Sequence, residues 1–214
     1  GAGFASPLSQ LNTGAAFSLV LKKGIDPTPT KVFSLGAADV NGAGGTKSTS
    51  TLTLKAMNKG DTVTINGMTM TANKALSASE VGQMFENFNT TSAEVIAAGG
   101  ISASSQNNPI LANFGTYSGT FAAGYSTGAN NNGVLTLTST ANNAAELAAP
   151  VATQFTNTIA IAASATTPAG IAAAINTANL GISAQLVSTG NAATPYKIMI
   201  TGTSGANNAF SLTS

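Results

Sequence analysis

The sequence predicts a strand-rich α+β fold of mainly antiparallel sheets, with two related strand–helix–strand units in an elongated or bilobed molecule. Three observations support this prediction. Apolar residues recur at every second position in several runs, which is the period of a strand. Two short segments switch to the helical period behind a Ser or Thr cap. The letters A-N-N-A follow a strand-like run twice, at 141–144 and at 206–209, which indicates a duplication.

The pattern divides the chain into three segments. Residues 1–50 hold two predicted strands, AFSLVLKK and KVFSLGA, as lead-in strands. The proline-containing turn GIDPTPT joins them, and NGAGGTKSTS follows as a predicted flexible joint. Residues 51–150 form the first strand–helix–strand unit with an insert, and residues 151–214 form the second unit.

The first unit opens with a predicted hairpin over residues 61–72. Val63 and Ile65 alternate with threonines before the dipeptide Asn66–Gly67, which is the preferred centre of a type I′ turn. A helix is predicted next, because Ser77 and Glu80 have the spacing of a capping box. Its apolar stripe occupies positions i, i+3, i+4 and i+7, namely Val81, Met84, Phe85 and Phe88. The insert after this helix holds a predicted strand at 116–121 and a Gly/Asn turn at 128–133.

The second unit repeats the pattern. Thr167 takes the place of Ser77, with Pro168 at the first helical position, where a missing N–H is tolerated. Gly181 is the predicted left-handed stop of this helix. The apolar stripe recurs at the same distances from the cap, as Ile171, Ala174, Ile175 and Ala178. The segments ISAQLVS and YKIMITG alternate as strands.

The composition excludes several classes of function. The chain has no His and no Cys, so it lacks the usual ligands of zinc, haem and iron–sulfur clusters and the groups of a catalytic triad or a disulfide. Only 7% of residues are charged, the net charge is +1, and the basic residues are scattered lysines. Nucleic-acid binding is therefore not expected. No apolar run reaches the ~20 residues of a membrane span, and no signal peptide opens the chain.

The seven carboxylates do not form the spacing of a calcium loop. Glu80 is explained by its cap and Asp61 by a turn, so no metal, cofactor or catalytic site is expected and the protein is predicted not to be an enzyme.

The run GAGG at 42–45 lacks the Gly-Lys-Ser/Thr of a phosphate loop and is interpreted as linker. The Met and Phe residues of the first unit are interpreted as its core.

Three aromatic residues of the insert are the candidate contact site. Tyr117, Phe121 and Tyr125 stand among Gly and Ser residues, a composition that suits contact with a carbohydrate or a protein surface. Burial of the same rings against the sheet is the alternative interpretation.

The second unit resembles the flagellin hook IN motif of bacterial flagellar hook-associated proteins, the family of the filament cap protein. The resemblance covers about the last 60 residues, in TPAGIAAAIN, GISAQLVS, YKIMITG and GANNAFSL. It implies exposed domains of a secreted, extracellular structural protein that assists flagellin assembly, with flagellin or other flagellar subunits as partners and a host surface or glycan as a further candidate. The matching positions are Ile171, Ile175, Asn176, Gly181, Ile182, Ala184, Val187, Tyr196, Ile198, Ile200, Gly205, Ala206, Asn208 and Phe210.

Two alternatives remain open. The same motif occurs in outer domains of large flagellins, and the first unit resembles repeat units of secreted bacterial adhesins and surface-layer proteins. Flagellar axial proteins assemble through long terminal heptad helices, and no sustained heptad pattern occurs in this sequence. The chain is therefore expected to be monomeric, or at most weakly associating, at micromolar concentration.

Overall fold

The computed structural model describes residues 14–88, 113–192, 195–205 and 208–214. It confirms the strand-rich α+β class with mainly antiparallel sheets. The chain folds into two units. Unit 1 consists of Gly1–Ile25 together with Phe155–Ser214, and unit 2 consists of Asp26–Gln154.

The described residues of unit 1 form a three-stranded sheet, a two-stranded ribbon and one α-helix. Its elements are β1 (Phe17–Lys23), β10 (Thr156–Ile161), a 3-10 turn (Ala163–Ala165), α2 (Pro168–Ala178), β11 (Ile182–Ser188), β12 (Tyr196–Gly202) and β13 (Phe210–Thr213).

The sheet of unit 1 has the order β10-β1-β13, and every pair is antiparallel. The pairing of β1 with β10 runs without a bulge from Phe17 opposite Ile161 to Lys22 opposite Thr156. The helix and one face of the sheet enclose a core of buried aliphatic side chains, namely Leu19, Leu21, Ile159, Ile161, Ile171, Ile175, Ile182 and Leu212.

In the described part of the chain, unit 2 contains two four-stranded sheets and the helix α1. Its elements are β2 (Thr30–Ser34), β3 (Lys47–Thr53), β4 (Thr62–Ile65), β5 (Met68–Ala72), α1 (Ala78–Phe85), β6 (Gly115–Gly119), β7 (Tyr125–Thr127), β8 (Val134–Asn142) and β9 (Val151–Thr153). The sheets have the orders β2-β3-β8-β7 and β6-β5-β4-β9. Both sheets and the helix contribute to one core, which includes Leu52, Val63, Met70, Phe85 and Leu137.

The hairpin turn and the capping box are confirmed, whereas α1 ends at Phe85, so Phe88 of the predicted stripe lies beyond the helix. Asn66 and Gly67 have φ values of 48° and 87° and join β4 to β5, as a type I′ turn requires. Glu80 N–H donates to the Ser77 hydroxyl at 3.2 Å, and Ser77 N–H donates to the Glu80 carboxylate at 2.8 Å, so the capping box is complete.

The second helix is capped as predicted at its start and ends slightly earlier than expected. Gly170 N–H donates to the Thr167 hydroxyl at 3.1 Å, and Pro168 occupies the first turn. The helix stops at Asn179, which has a φ of 50°, two residues before Gly181 with a φ of 74°. Asn tolerates the left-handed region because its short amide can bond locally, so it replaces the predicted Gly as the cap.

The two units share part of their strand order. In unit 2 the central strand β4 lies between β5, which leads to α1, and β9, the last strand of the unit. In unit 1 the central strand β1 lies between β10, which leads to α2, and β13, again the last strand. An antiparallel pair lies between the helix and the last strand in both units, as β7–β8 and as β11–β12. Val81 and Phe85 are buried, as are Ile171 and Ile175 at the same distances from their caps.

Unit 2 is inserted into unit 1 at the place of a single β-turn. Strands β4 and β5 are joined by two residues, whereas the equivalent strands β1 and β10 are joined through the whole of Asp26–Gln154. The strands β1 and β10 nevertheless pair up to Lys22, which lies opposite Thr156. Along the chain, unit 2 is therefore nested within unit 1, and the two units do not follow one another in tandem.

This insertion changes the predicted segment boundaries. The predicted lead-in segment 1–50 is divided, because β1 pairs with β10 and β13 of unit 1 while β2 pairs with β3 of unit 2. The predicted flexible joint at 41–50 is also corrected. Strand β3 begins at Lys47, and the residues before it are held by a bridge between Val40 and Ala43 and by a bond from Thr46 N–H to the Ala37 carbonyl at 2.9 Å.

We expect Ser77→Ala and Thr167→Ala each to lower the free energy of unfolding by about 1 kcal/mol, because each mutation removes the acceptor for an otherwise unpaired helical N–H. Urea unfolding followed by circular dichroism measures the change. Ala169→Ser on the exposed first turn of α2 is the control and should change stability by less than about 0.5 kcal/mol. Equal effects at the caps and at the control would contradict the capping role.

Candidate functional site

The aromatic residues predicted as a contact site belong to the core of unit 2. Tyr117 and Tyr125 are each 4% exposed, and Phe121 is half-buried against the same core. The ring of Tyr117 lies edge-on to Phe85 and Phe88, with centroids 6.3 and 6.2 Å apart. The proposed contact surface is therefore wrong for the two tyrosines, and burial against the sheet is the correct alternative. Tyr117 lies at an inward position of β6, which the alternation of the sequence does not distinguish from an outward one.

Both tyrosine hydroxyls are bound to backbone carbonyls. Tyr117 O–H donates to the Met84 carbonyl at the end of α1, and Tyr125 O–H donates to the Ala145 carbonyl at 2.7 Å. Burial raises the pKa of both phenols, and the charge of Glu146 adds to the rise at Tyr125. These hydroxyls hold secondary-structure ends in place and are not available to a ligand.

The carboxylates also have structural partners. Asp61 is buried and accepts from Asn58 N–H at 2.7 Å, while Glu86 accepts from Asn130 N–H at 3.0 Å. Glu146 pairs with Lys31 at 2.8 Å. Across residues 14–88, 113–192, 195–205 and 208–214, no group of three or more carboxylates could hold a metal ion. Glu94 lies outside the described residues.

The outward face of one sheet of unit 2 is a regular array of threonines. One row crosses four strands, and its members are Thr153, Thr62, Thr71 and Thr116. The next row contains Thr64 and Thr69, whose hydroxyl oxygens are 2.7 Å apart, flanked by Val151 and Ser118. This face is neutral and hydroxyl-rich, so it can be hydrated without charged side chains.

Unit 1 has an open groove between the edge of β10 and α2. Its volume is about 480 Å³. Small side chains line it, since α2 contributes Gly170, Ala173, Ala174, Thr177 and Ala178, and β10 contributes Thr158 and Ala160 beside Ile159. The signal for it in the sequence is the pair of alanines at the cap-relative positions that Met84 and Phe88 occupy in the first unit.

The ribbon β11–β12 carries exposed apolar side chains. Tyr196 is 56% exposed and Met199 is 45% exposed, and Leu186 and Val187 are exposed beside them. The base of the ribbon is fixed to the helix, because Asn176 both accepts from Ala184 N–H at 2.8 Å and donates to its carbonyl at 2.9 Å. The groove and the ribbon are therefore the two candidate interaction surfaces of unit 1.

No protein-family model, curated protein or solved structure matches the chain. None of the helices in the described part of the chain is long and apolar enough to cross a membrane.

We expect stability to be nearly constant between about pH 6 and 8 and to fall above about pH 10, where tyrosines ionise. The raised pKa values mean that the folded state favours the protonated phenols of Tyr117 and Tyr125. Their contribution is complete below the pKa of an unfolded tyrosine and is lost as the pH rises through the folded values. Thermal unfolding between about pH 6 and 11 tests this, and Tyr125→Phe should make the alkaline loss shallower.

On the acid side, the contribution of Glu80 has the opposite sign. The bond from Ser77 N–H holds the pKa of Glu80 below its usual value. Its contribution is present above the pKa of an unfolded glutamate and is lost as the pH falls through the folded value. Glu80→Gln keeps a capping acceptor and should reduce the acid dependence, and an unchanged acid slope would contradict this role.

Proposed function

We propose that the chain forms exposed, extracellular domains of a flagellar hook-associated protein of the filament-cap type, with a structural role in flagellin assembly. The resemblance of about the last 60 residues to the flagellin hook IN motif supports this assignment. The Asn of the motif corresponds to Asn176. Its two hydrogen bonds to the backbone of Ala184 give this residue a structural role.

The observation that carries the proposal is the nested insertion. Strand β13 runs antiparallel to its neighbour β1 and ends at the middle of that strand, with Thr213 opposite Val20. A chain therefore enters β1 and leaves β13 on the same side of the sheet. Unit 2 is likewise carried between two neighbouring strands of unit 1. A domain whose entry and exit lie together can be inserted into a longer chain without disturbing the host fold, which is the property that exposed domains on an assembled core require.

The surface chemistry supports a structural role. The sheet of unit 2 presents threonine rows to solvent, and Asp61, Glu86 and Glu146 serve turns, backbone contacts and an ion pair. The partners that this role implies are flagellin or other flagellar subunits in the intact protein. Contact with a host surface or glycan is a further role that an exposed domain of this kind could carry.

Immunogold electron microscopy with antibodies raised against the chain tests the proposal on cells that produce the protein. Label at the tips of flagella is the expected result. Label along the whole filament would replace the cap assignment with an outer domain of a flagellin. Label over the cell body would replace it with an adhesin or surface-layer subunit. Cells without the gene are the control for antibody specificity.

A further inference from the structure

Unit 2 contains a strand, β6, that has no equivalent among the described residues of unit 1. Strand β5 pairs with β4 on one side and with β6 on the other, from Met68 opposite Gly119 to Ala72 opposite Gly115. The equivalent strand β10 pairs with β1 and ends its sheet in the described part of the chain. No strand in residues 14–25 or in the described part of 155–214 therefore takes the position in unit 1 that β6 occupies in unit 2.

The groove between β10 and α2 lies at this position. In unit 2 the place is filled by Tyr117 of β6, which packs against Phe85 and Phe88. In unit 1 the helix presents Ala174 and Ala178 at the cap-relative positions of Met84 and Phe88. Small side chains on α2, together with the absence of an added strand among the described residues, leave a groove of about 480 Å³.

The edge of β10 lacks the usual protection against strand pairing. Natural edge strands carry charges, prolines or bulges that prevent addition of another strand. Strand β10 has none of these, since its sequence is TNTIAI and its register with β1 is continuous. The edge strand β2, in contrast, carries Lys31 and follows Pro27 and Pro29. Every second residue of β10 turns its N–H and C=O toward the open side, as an antiparallel edge does.

We propose that this groove binds strand β12 of a second copy of the chain, which adds to β10 as β6 adds to β5. Strand addition of this kind draws affinity from main-chain hydrogen bonds and specificity from side-chain pockets. Tyr196 on β12 is 56% exposed, and in the complex it takes the place that Tyr117 has in unit 2. The ribbon carries a single charge, Lys197, and neither β10 nor α2 carries any, so no like charges meet.

The partner surfaces of this contact differ, because one copy supplies a groove and the other a ribbon. Such a heterologous contact propagates from copy to copy, and it forms open chains unless the rotation between successive copies closes a ring. One added strand buries little area, so a dissociation constant of roughly 0.1–1 mM is expected. The contact would matter where copies are held together at high local concentration. The strand site goes beyond the proposed flagellar role, because it depends on the geometry of unit 1 alone.

Sedimentation equilibrium of the whole chain, from about 10 μM to 1 mM, tests the proposal. We expect open-ended self-association at the upper end of this range. Ala174→Lys places a charge in the groove and Tyr196→Lys removes the ribbon side chain, and each should weaken self-association by roughly tenfold or more. Ala169→Lys on α2 outside the groove and Gln185→Lys on β11 are the matched controls and should associate as the wild type does.

A mixture of the two impaired variants gives the decisive result. The Ala174→Lys chain keeps an intact ribbon and the Tyr196→Lys chain keeps an intact groove, so the mixture should form one-to-one dimers that do not grow. Circular dichroism of each variant confirms its fold. Wild-type chain that stays monomeric at about 1 mM would overturn the proposal. A mixture of the two variants that forms no dimers would also overturn it, because the intact ribbon of one variant would then fail to bind the intact groove of the other.

Discussion

Phe85→Ala should destabilise unit 2 by about 3–5 kcal/mol, the loss typical of a deleted core aromatic ring. Phe85 is fully buried, and its ring lies edge-on to Phe88 at 6.0 Å and to Tyr117 at 6.3 Å. Removing the ring opens a cavity between α1 and β6 that these neighbours, held in well-packed positions, cannot close. The chain has no Trp, so the fluorescence of the buried Tyr117 and Tyr125 reports the unfolding of unit 2 in urea.

Val32→Ala is the control for this measurement. Val32 is 71% exposed on β2 of the same unit, and its truncation should change the free energy of unfolding by less than about 0.5 kcal/mol. Amide hydrogen exchange in β1 and β10 should be unchanged by Phe85→Ala, because these strands belong to the core of unit 1. A loss below about 1 kcal/mol at Phe85 would contradict the packing of α1 against β6.

Asn176→Ala should destabilise unit 1 by about 1–2 kcal/mol, after allowance for the better helix propensity of Ala. The side chain of Asn176 satisfies both the N–H and the carbonyl of Ala184, a residue only 4% exposed. The mutation leaves both backbone groups without this partner and releases the ribbon from the end of α2. Amide exchange at Ala184 measures the local change, and urea unfolding measures the global one.

Thr177→Ala is the matched control, because Thr177 is the next residue of α2 and is exposed. It should be neutral or slightly stabilising through helix propensity. Similar losses at the two positions would show that Asn176 acts only as an exposed helix residue. A loss at Asn176 without faster exchange at Ala184 would place the effect elsewhere in the unit.

The features predicted best from the sequence are those set by neighbouring residues. The turn at Asn66–Gly67, the capping box of Ser77 and Glu80, and the cap at Thr167 each depend on groups a few residues apart. Such local signals act in the same way in any fold, which is why the structure reproduces them. Strand β12 likewise runs from Tyr196 to Gly202, as its alternation indicates.

The features that the sequence does not predict depend on distant partners or on polar side chains in the core. The partners of β1 are β10 and β13, which lie beyond unit 2 in the chain, and no local pattern indicates this pairing. The hydropathy pattern does not reveal the start of β3, because its inward positions are taken by Ser48 and Ser50, which are fully buried. Ser48 can do so because its hydroxyl donates to the Ala144 carbonyl at 2.7 Å, and a hydropathy pattern cannot register such a bond.

The prediction of the contact site is wrong for a related reason. Alternation separates the two faces of a strand but does not say which face meets the core, and β6 is short and rich in Gly. The apolar residues Met84 and Phe85 of α1, and Phe88 just after it, hold the missing information, since they need an apolar partner. The groove of unit 1 depends on small residues of α2, and their effect becomes visible only beside the open edge of β10 in three dimensions.

The nested connection also sets the order in which the protein can fold as it leaves the ribosome. Strand β1 is synthesised before unit 2, yet β10 and β13 become available only after the whole of Asp26–Gln154 has been made. Unit 2 can complete its core in that interval, while Leu19 and Leu21 of β1 stay exposed because β10 and β13 have not yet been made. Translation that stops after Gln154 would thus release a folded unit 2 that carries an apolar, unpaired strand, a species prone to aggregate. Slow synthesis of residues 155–214 lengthens this vulnerable interval.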